Sequence, residues 1–299
     1  LESGDVDEAV RDALAGLPEE KGILTPEWLP ESRRALANAL GVYDLSDKFR
    51  SSGVVKLPSA PYKIKMSPGG KKIVAVYQSE AAVYDAESLK TLMTCPMMDS
   101  ALADALFSED SHLLAAGKDG VSLYDIESGE QVWKAGMAST LAISGDRQVA
   151  AAMDRDRNIV SFYDMKDGQL LRERSMGEKK MPSAFNDSFA DPDNAIFCLN
   201  MDGTMLAISF SDGGLYVMDT EHPEDDLIVY ESSDYTEFAG GFHGDKFAFS
   251  AGKSGHSIFG LINVDEGAYI GDMESNLRMK AKADERGIWV SEGNLLSEF

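Results

Sequence analysis

The sequence has little cysteine, little histidine and few cationic residues. Its 299 residues include two cysteines, four histidines and 28 lysines and arginines, against 51 aspartates and glutamates, which gives a net charge of −23. Nucleic acids and anionic lipids are bound through lysine and arginine, so this charge balance argues against both as partners and favours solubility. Long apolar runs are also absent. No run approaches the roughly 18 residues of a membrane-spanning helix, and we expect no direct membrane insertion.

A unit of four short strands recurs along most of the chain. In residues 103–136, apolar segments alternate with Ser-Glu-Asp, Lys-Asp-Gly and Glu-Ser-Gly turns, which gives four strands in 34 residues. A Tyr-Asp pair or its equivalent marks the third strand of each repeat, at Asp85, Asp125, Asp164, Asp219 and Asn263. The intervals are 40, 39, 55 and 44 residues. A period of about 40–45 residues is typical of four-stranded propeller blades.

This spacing predicts an all-β fold, a β-propeller of four-stranded antiparallel blades. Six blades are expected and seven are possible. The long interval of 55 residues contains a polar segment with two prolines over residues 178–194, which we expect to loop out from one face.

Closure of the ring is expected from a strand at the start of the repeat region. The sixth repeat supplies three strands, whereas GVVKL at residues 53–57 is a strand without a blade. Because an open sheet edge invites aggregation, we expect residues 54–57 to pair beside residues 294–299 and complete a six-bladed ring. The alternative is that Phe299 lies inside a longer array and that a seventh blade follows.

The first 45 residues do not share the repeat. Asp5 and Glu8 form a capping box, and apolar residues at helical spacing predict a helix over residues 6–16. A second helix is predicted over residues 31–40. Helices this short are not stable alone in water, so we expect them to dock on folded structure. The domains predicted are therefore a helical linker segment, residues 1–45, and the propeller, residues 46–299. Because the chain starts without Met, we expect it to be part of something longer.

The two cysteines fall in different repeats. Cys95 belongs to repeat one and Cys198 to repeat four, whereas a disulfide needs Cα atoms within about 7 Å. We therefore expect two free thiols, a pattern that suits a reducing compartment. The expected location is that of a soluble domain, either cytoplasmic or displayed from a membrane-anchored parent protein.

Residues 53–299 resemble the WD-repeat β-propeller family in a degenerate form. The most faithful copy is Met201-Asp202-Gly203-Thr204 followed by the strand that ends at Asp219. Two features of the family are missing. The signature Trp is replaced by Tyr84, Tyr124, Tyr163 or Met218, and the Gly-His before each first strand is absent. The resemblance implies a propeller that recognises other molecules without catalysis.

The N-terminal segment carries a second resemblance. Its two predicted helices with a Pro-containing linker look like the segment that joins TIR or STAND-type effector domains to WD-repeat propellers in large bacterial signalling proteins. This resemblance implies that the chain is the sensor module of such a protein.

No motif for catalysis, cofactor binding or metal binding stands out. Gly252-Lys253-Ser254 lacks the preceding glycine of a P-loop and is interpreted as a polar hairpin turn. The four histidines have no ligand spacing, and several turn aspartates do not fit a calcium loop. The residues concerned are His112, His222, His243, His256, Asp154, Asp156, Asp191 and Asp193. We therefore predict no enzyme activity, no cofactor, and no catalytic, cofactor-binding or metal residues.

The function predicted from the sequence is a non-catalytic interaction or sensing module. Its partner would be a protein or peptide bound at the propeller face, because rigid blades hold loops that form a broad binding surface. One alternative is a propeller enzyme with an axial metal site. Another is a structural scaffold with no ligand of its own.

Overall fold

A computed structural model describes most of the repeat region. The residues described are 57–97, 104–117, 120–178, 195–210, 214–222, 226–231, 237–253, 256–277, 279–284, 287–292 and 295–298. The chain divides into two compact units, Leu1–Val55 and Lys56–Phe299. The two predicted helices fall in the first unit, outside the described residues, and stay predictions. Within the described ranges, no helix is long and apolar enough to cross a bilayer.

The described part of the second unit is made of β-strands. Sheets 1 to 3 contain β1 (Lys63–Met66), β2 (Lys72–Val76), β3 (Glu80–Asp85), β4 (Thr91–Pro96); β5 (Ala105–Glu109), β6 (His112–Gly117), β7 (Gly120–Asp125), β8 (Gln131–Lys134); and β9 (Thr140–Ile143), β10 (Val149–Asp154), β11 (Ile159–Asp164), β12 (Leu170–Ser175). Sheets 4 to 6 contain β13 (Phe197–Leu199), β14 (Met205–Ser209), β15 (Gly214–Asp219), β16 (Leu227–Glu231); β17 (Glu237–His243), β18 (Lys246–Lys253), β19 (His256–Asn263), β20 (Ala268–Ser275); and β21 (Met279–Asp284), β22 (Gly287–Glu292), β23 (Leu295–Glu298).

Each sheet is an antiparallel meander in chain order. Five sheets have four strands, and the described part of sheet 6 has three. This confirms the predicted all-β fold of four-stranded antiparallel units and the strand positions in each repeat. Ring closure stays a prediction, because residues 54–56, 294 and 299 lie outside the described ranges. Leu57 is described, and it packs against a cluster of sheet 1 that contains Tyr77 and Tyr84.

The hydrophobic core lies between the faces of successive sheets. Five clusters of buried side chains each join one sheet to the next, from sheets 1 and 2 to sheets 5 and 6. Neighbouring residues of one strand belong to clusters on opposite faces of the sheet. Leu113 packs towards sheet 1 and Leu114 towards sheet 3, and both are 0% exposed. This explains why the inner strands of sheets 2 to 5 are continuous apolar runs, since both faces of these sheets are buried.

Polar side chains also link neighbouring sheets. Arg172 of β12 donates to the carbonyl of Gly203 at 2.8 Å and to Thr220 Oγ1 at 2.6 Å, both in the loops that border the strands of sheet 4. Its guanidinium carbon lies 4.9 Å from the centroid of the Phe162 ring. The position of this cation over an aromatic face is favourable. Arg172 therefore connects sheets 3 and 4 by charge-assisted hydrogen bonds, and its guanidinium group packs on the buried ring of Phe162.

The residue that marks each repeat caps the turn after the third strand. In sheet 1, Asp85 Oδ1 accepts from the backbone amide of Ser88 at 2.7 Å, and in sheet 2 the equivalent distance from Ser128 to Asp125 is also 2.7 Å. The equivalent side chains in sheets 3, 4 and 5 accept from amides two or three residues later; they are Asp164, Asp219 and Asn263. The periodicity in the sequence is thus a periodicity of turn chemistry.

The outer strands share a local irregularity. In all five four-stranded sheets, the pairing of the third with the fourth strand contains one register shift. The fourth strands β4, β8, β12, β16 and β20 end their sheets, and each pairs on one side alone within the described part of the chain. A bulge of this kind bends and twists the strand that carries it.

Sheets 5 and 6 approach each other closely at Gly241. A Cβ atom at this position would lie 2.2 Å from the carbonyl oxygen of Ala283 in β21. We expect Gly241→Ala to lower the free energy of unfolding by about 1–3 kcal/mol, because backbone would have to move. Gly271→Ala is the matched control, since a Cβ there meets nothing within 4 Å. Urea unfolding of both variants is the measurement, and equal stability of the two would contradict the close approach.

Candidate functional site

The first strands of all six sheets line one cavity of about 950 Å³. Each of these strands ends its sheet, and β9 contacts both β5 and β13. In the order β1, β5, β9, β13, β17 and β21, the strands contribute Lys65, Leu106, Leu141, Phe197, Gly240 and Ala281 to the lining. This arrangement, in which the first strand of every sheet lines one cavity, is typical of the axis of a propeller, where the inner strands of all blades meet.

A cluster of three charged side chains forms part of the cavity wall between sheets 1 and 2. Lys65 Nζ donates to Asp104 Oδ1 at 2.8 Å, and Lys63 Nζ lies 3.3 Å from the same oxygen. The side chain of Asp104 is 5% exposed, against 12% for Lys63 and 35% for Lys65. The carboxylate also accepts from the backbone amide of Ala105 at 2.9 Å. One carboxylate thus contacts two ammonium groups, and the cluster carries a net positive charge.

Opposing effects set the ionisation of Asp104. Burial by itself raises the pKa of this carboxyl group, because the anion loses hydration in the interior. The ammonium groups of Lys65 and Lys63 together outweigh burial, so the pKa of Asp104 lies below its usual range. Asp104 is therefore an ionised counter-charge to both lysines at neutral pH.

Arg155 brings positive charge to the wall formed by sheet 3. It follows β10 in the turn to β11, is half-buried, and its Nη2 donates to Thr140 Oγ1 at 3.5 Å. Burial lowers the pKa of the Arg155 guanidinium. Arginine starts from so high a pKa that the group stays charged at neutral pH.

Two further lysines come from β21. Met279, Ala281 and Ala283 of this strand are buried against sheet 5. Because side chains alternate along a strand, Lys280 and Lys282 occupy its other face and line the cavity, with Lys282 exposed to solvent.

The cavity therefore differs in charge from the chain as a whole. Among the described residues that line it, five are cationic and two are carboxylates; they are Lys63, Lys65, Arg155, Lys280, Lys282, Asp104 and Asp284. The chain itself carries a net charge of −23. Anionic groups are thus favoured inside the cavity and disfavoured over the rest of the molecule.

The motif considered for phosphate binding lies in a hairpin. β18 continues through Lys253, β19 begins at His256, and these two residues pair. Gly252 and Lys253 are the last residues of β18, and Ser254 lies outside the described residues, so the segment belongs to a pair of strands and the turn itself stays a prediction. A P-loop instead needs a helix after its glycine-rich segment.

The four histidines are dispersed over sheets 2, 4 and 5. His112 Nε2 lies 3.9 Å from Asp125, His222 Nδ1 lies 3.5 Å from Asp219, and His243 Nδ1 is 2.7 Å from the carbonyl oxygen of Asp284. His256 begins β19. Within the described ranges, no group of three or more histidine, cysteine, aspartate or glutamate side chains could hold a metal ion.

The turn aspartates have a local role where they are described. Asp154 Oδ1 accepts from the backbone amides of Asp156 and Arg157, at 3.0 Å in each case. Asp191 and Asp193 lie outside the described residues. The default interpretation of Asp154 as a turn residue is therefore supported by its contacts.

Both cysteines are free, as predicted, with Cys95 in β4 and Cys198 in β13. Burial raises the pKa of each thiol to about 12. The thiolate is the reactive form of cysteine, so neither residue is prepared as a nucleophile, although Cys198 lines the cavity.

Sequence reasoning missed the cationic lining of the cavity. The signal was present in two first strands, where Lys63-Ile64-Lys65 and Lys280-Ala281-Lys282 alternate cationic with apolar residues. An inner strand with that alternation points its lysines to one face. The net charge of the whole chain concealed this local excess.

Comparison with known proteins shows similarity of fold. No family model and no curated protein matches the chain. The C-terminal WD40 domain of Sif2 is similar with a TM-score of 0.55 and 12% identity, over 79% of this chain and 67% of that one. The computationally designed protein Ika8 is similar with a TM-score of 0.55 and 14% identity, over 79% of this chain and 69% of that one. Hydrazine synthase of Kuenenia stuttgartiensis is similar with a TM-score of 0.54 and 13% identity, over 81% of this chain and 76% of that one. At these identities the likeness concerns the fold alone, and the fold is like that of a WD40 propeller.

Proposed function

We propose that this chain is a non-catalytic recognition module that binds a protein or peptide partner at the propeller face where the central cavity opens. The observation that carries the proposal is the cavity itself, which takes its lining from the first strand of every described sheet. A partner there would contact six rigid sheets at once. A WD40-like fold supports this role, because such scaffolds hold binding loops and an axial channel in fixed positions.

The wider setting of the module is also part of the proposal. The resemblance of residues 1–45 to the linkers of TIR and STAND-type proteins supports a place in a larger bacterial signalling protein. The module would be a soluble domain, in the cytoplasm or displayed from a membrane-anchored parent. Six described first strands around one cavity support a six-bladed ring.

The propeller enzyme with an axial metal is the less favoured alternative. One similar structure is a synthase by name, so the fold does not separate the two classes. The charge of the cavity does separate the two classes. A divalent cation at the axis would be repelled by the five cationic side chains of the cavity lining.

Selection of peptides on the full chain tests the proposed function. Peptides from a random phage-displayed library would be selected on the 299-residue protein and titrated by calorimetry. We expect one-to-one binding that Ala239→Trp abolishes by filling the cavity, whereas Ala268→Trp on exposed β20 leaves it intact. Equal binding by both variants would refute binding at the cavity. About one equivalent of metal retained through purification would support the enzyme instead.

A further inference from the structure

We propose that the cavity is an anion-binding site that takes a short acidic peptide segment, held by the lysines of β1 and β21 together with Arg155. This inference rests on the proposed function and specifies the chemistry of its ligand. The observation behind it is the reversal of charge between the cavity and the rest of the chain.

The cationic groups of the cavity come from three different sheets. Lys63 and Lys65 come from sheet 1, Arg155 from sheet 3, and Lys280 and Lys282 from sheet 6. An anion inside the cavity would therefore have cationic side chains of three sheets in the surrounding wall. Charge-assisted hydrogen bonds of this kind are the strong ones, and burial strengthens them further.

The two carboxylates in the lining do not neutralise this charge. Asp104 lies within 3.3 Å of both Lys63 and Lys65, so a single negative charge is shared between two positive ones. The second carboxylate, Asp284, ends β21, the strand that carries the other two lysines. A ligand that supplies two or three carboxylates would complete the balance. Glutamate and aspartate side chains have the charge and reach to do so.

The size and walls of the cavity fit a peptide better than an inorganic anion. A volume of about 950 Å³ is at the upper end of the range of about 300–1,000 Å³ found for ligand pockets. The lining also contains the half-buried apolar side chains Leu106, Phe197 and Trp289. The six first strands are edges of their sheets in the described part of the chain, but in β21 the amides of Met279 and Ala281 already donate to serine hydroxyls of sheet 5. A peptide, unlike an inorganic anion, can combine charge with apolar contact.

The charge of the whole chain restricts the ligand to a short segment. A long polyanion such as a nucleic acid would extend over surfaces that share a net charge of −23. Repulsion acts over a Debye length of about 8–10 Å at physiological salt, so a segment inside the cavity escapes most of it. This favours one acidic stretch of a protein partner.

The test uses the full chain and hexaglutamate, with hexaglutamine as the uncharged match. Titrations would be run at ionic strengths of about 0.01 M and about 0.15 M, between which the Debye length falls from about 30 to about 8 Å. We expect saturable one-to-one binding of hexaglutamate that weakens with salt, and no measurable binding of hexaglutamine. Inorganic pyrophosphate is the third probe.

The variants separate the cavity from the general charge of the surface. Lys280→Gln/Lys282→Gln should weaken hexaglutamate binding about tenfold for each lysine. Lys90→Gln/Lys134→Gln removes the same charge from exposed positions on sheets 1 and 2 and should change affinity less than about twofold. Lys282→Gln alone, at an exposed side chain, serves if the double variant is unstable.

Several outcomes would overturn the inference. These are no saturable binding of hexaglutamate, equal affinity for hexaglutamine, equal losses in the two double variants, or tighter binding of pyrophosphate than of hexaglutamate. If selected peptides bind in the cavity but are neutral or basic, the acidic ligand is refuted and the proposed function stands. If hexaglutamate binds as expected but Ala239→Trp leaves selected peptides unaffected, the partner site lies elsewhere while the anion site stands.

Discussion

Replacement of Phe162 by alanine is expected to lower the free energy of unfolding by about 3–5 kcal/mol. Phe162 is 0% exposed, in the cluster of side chains that joins sheets 3 and 4. Its ring also underlies the guanidinium of Arg172, at 4.9 Å. The substitution would leave a cavity and withdraw support from the hydrogen bonds that Arg172 makes to Gly203 and Thr220. Both effects weaken the same junction.

Equilibrium unfolding in urea, followed by circular dichroism, measures the effect. Phe162→Leu keeps most of the volume and should cost less than about 1.5 kcal/mol. Met137→Ala, at a side chain 50% exposed to solvent, should change stability by less than about 0.5 kcal/mol. A loss for Phe162→Ala no greater than that for Met137→Ala would show that sheets 3 and 4 do not pack as described.

Asp104→Asn is expected to lower the free energy of unfolding by about 3 kcal/mol at neutral pH. The variant leaves Lys63 and Lys65 together without the carboxylate that lies 3.3 and 2.8 Å from them. This value is at the lower end of the range for a broken buried pair, because Lys65 is partly exposed. The control Asp156→Asn removes the same charge from an exposed turn and should cost less than about 0.5 kcal/mol.

The dependence on pH separates electrostatics from packing. The folded pKa of Asp104 is depressed, so its contribution is present above the unfolded pKa of about 3.9 and is lost as pH falls through the lower folded value. We expect the stability difference between the parent chain and Asp104→Asn to be constant from about pH 7 to about pH 5 and to shrink below about pH 4. If the stability difference between the two proteins were unchanged at low pH, the lower stability of Asp104→Asn would be due to altered packing and not to the lost charge.

The fold was predictable because each repeat carries local signals. The capping residues Asp85 and Asp125 serve amides three positions away, so their chemistry is complete within one turn. Continuous apolar strands such as the one containing Leu113 and Leu114 reflect burial of both sheet faces. Tyr84 stands where WD repeats have their signature Trp, and this difference did not affect the fold prediction, because the repeat period was evident from the turn residues and the apolar strands.

The candidate site was not predictable to the same degree, because its contacts are long-range. Lys65 and Asp104 are 39 positions apart, and the lysines of β21 come from the other end of the repeat region. The alternation within each strand indicates that its lysines share one face, but nothing local indicates that the two strands line the same cavity. The acidic composition also pointed away from an anion site. Only the arrangement of first strands around a shared axis reveals that Lys65 and Lys282 belong together.

The outer strands of the five four-stranded sheets affect how readily molecules of this protein associate with one another. Within the described ranges, each ends its sheet, and several carry exposed apolar side chains, among them Leu92, Ile228 and Tyr269. Edges of this kind recruit strands from other molecules, which is the first step towards fibrils. The register shift beside each edge distorts the template, and mutual repulsion between molecules of charge −23 keeps them apart. The acidic surface that disfavours polyanions thus also acts as a kinetic barrier to self-association, and it weakens as carboxylates become protonated or as salt screens them.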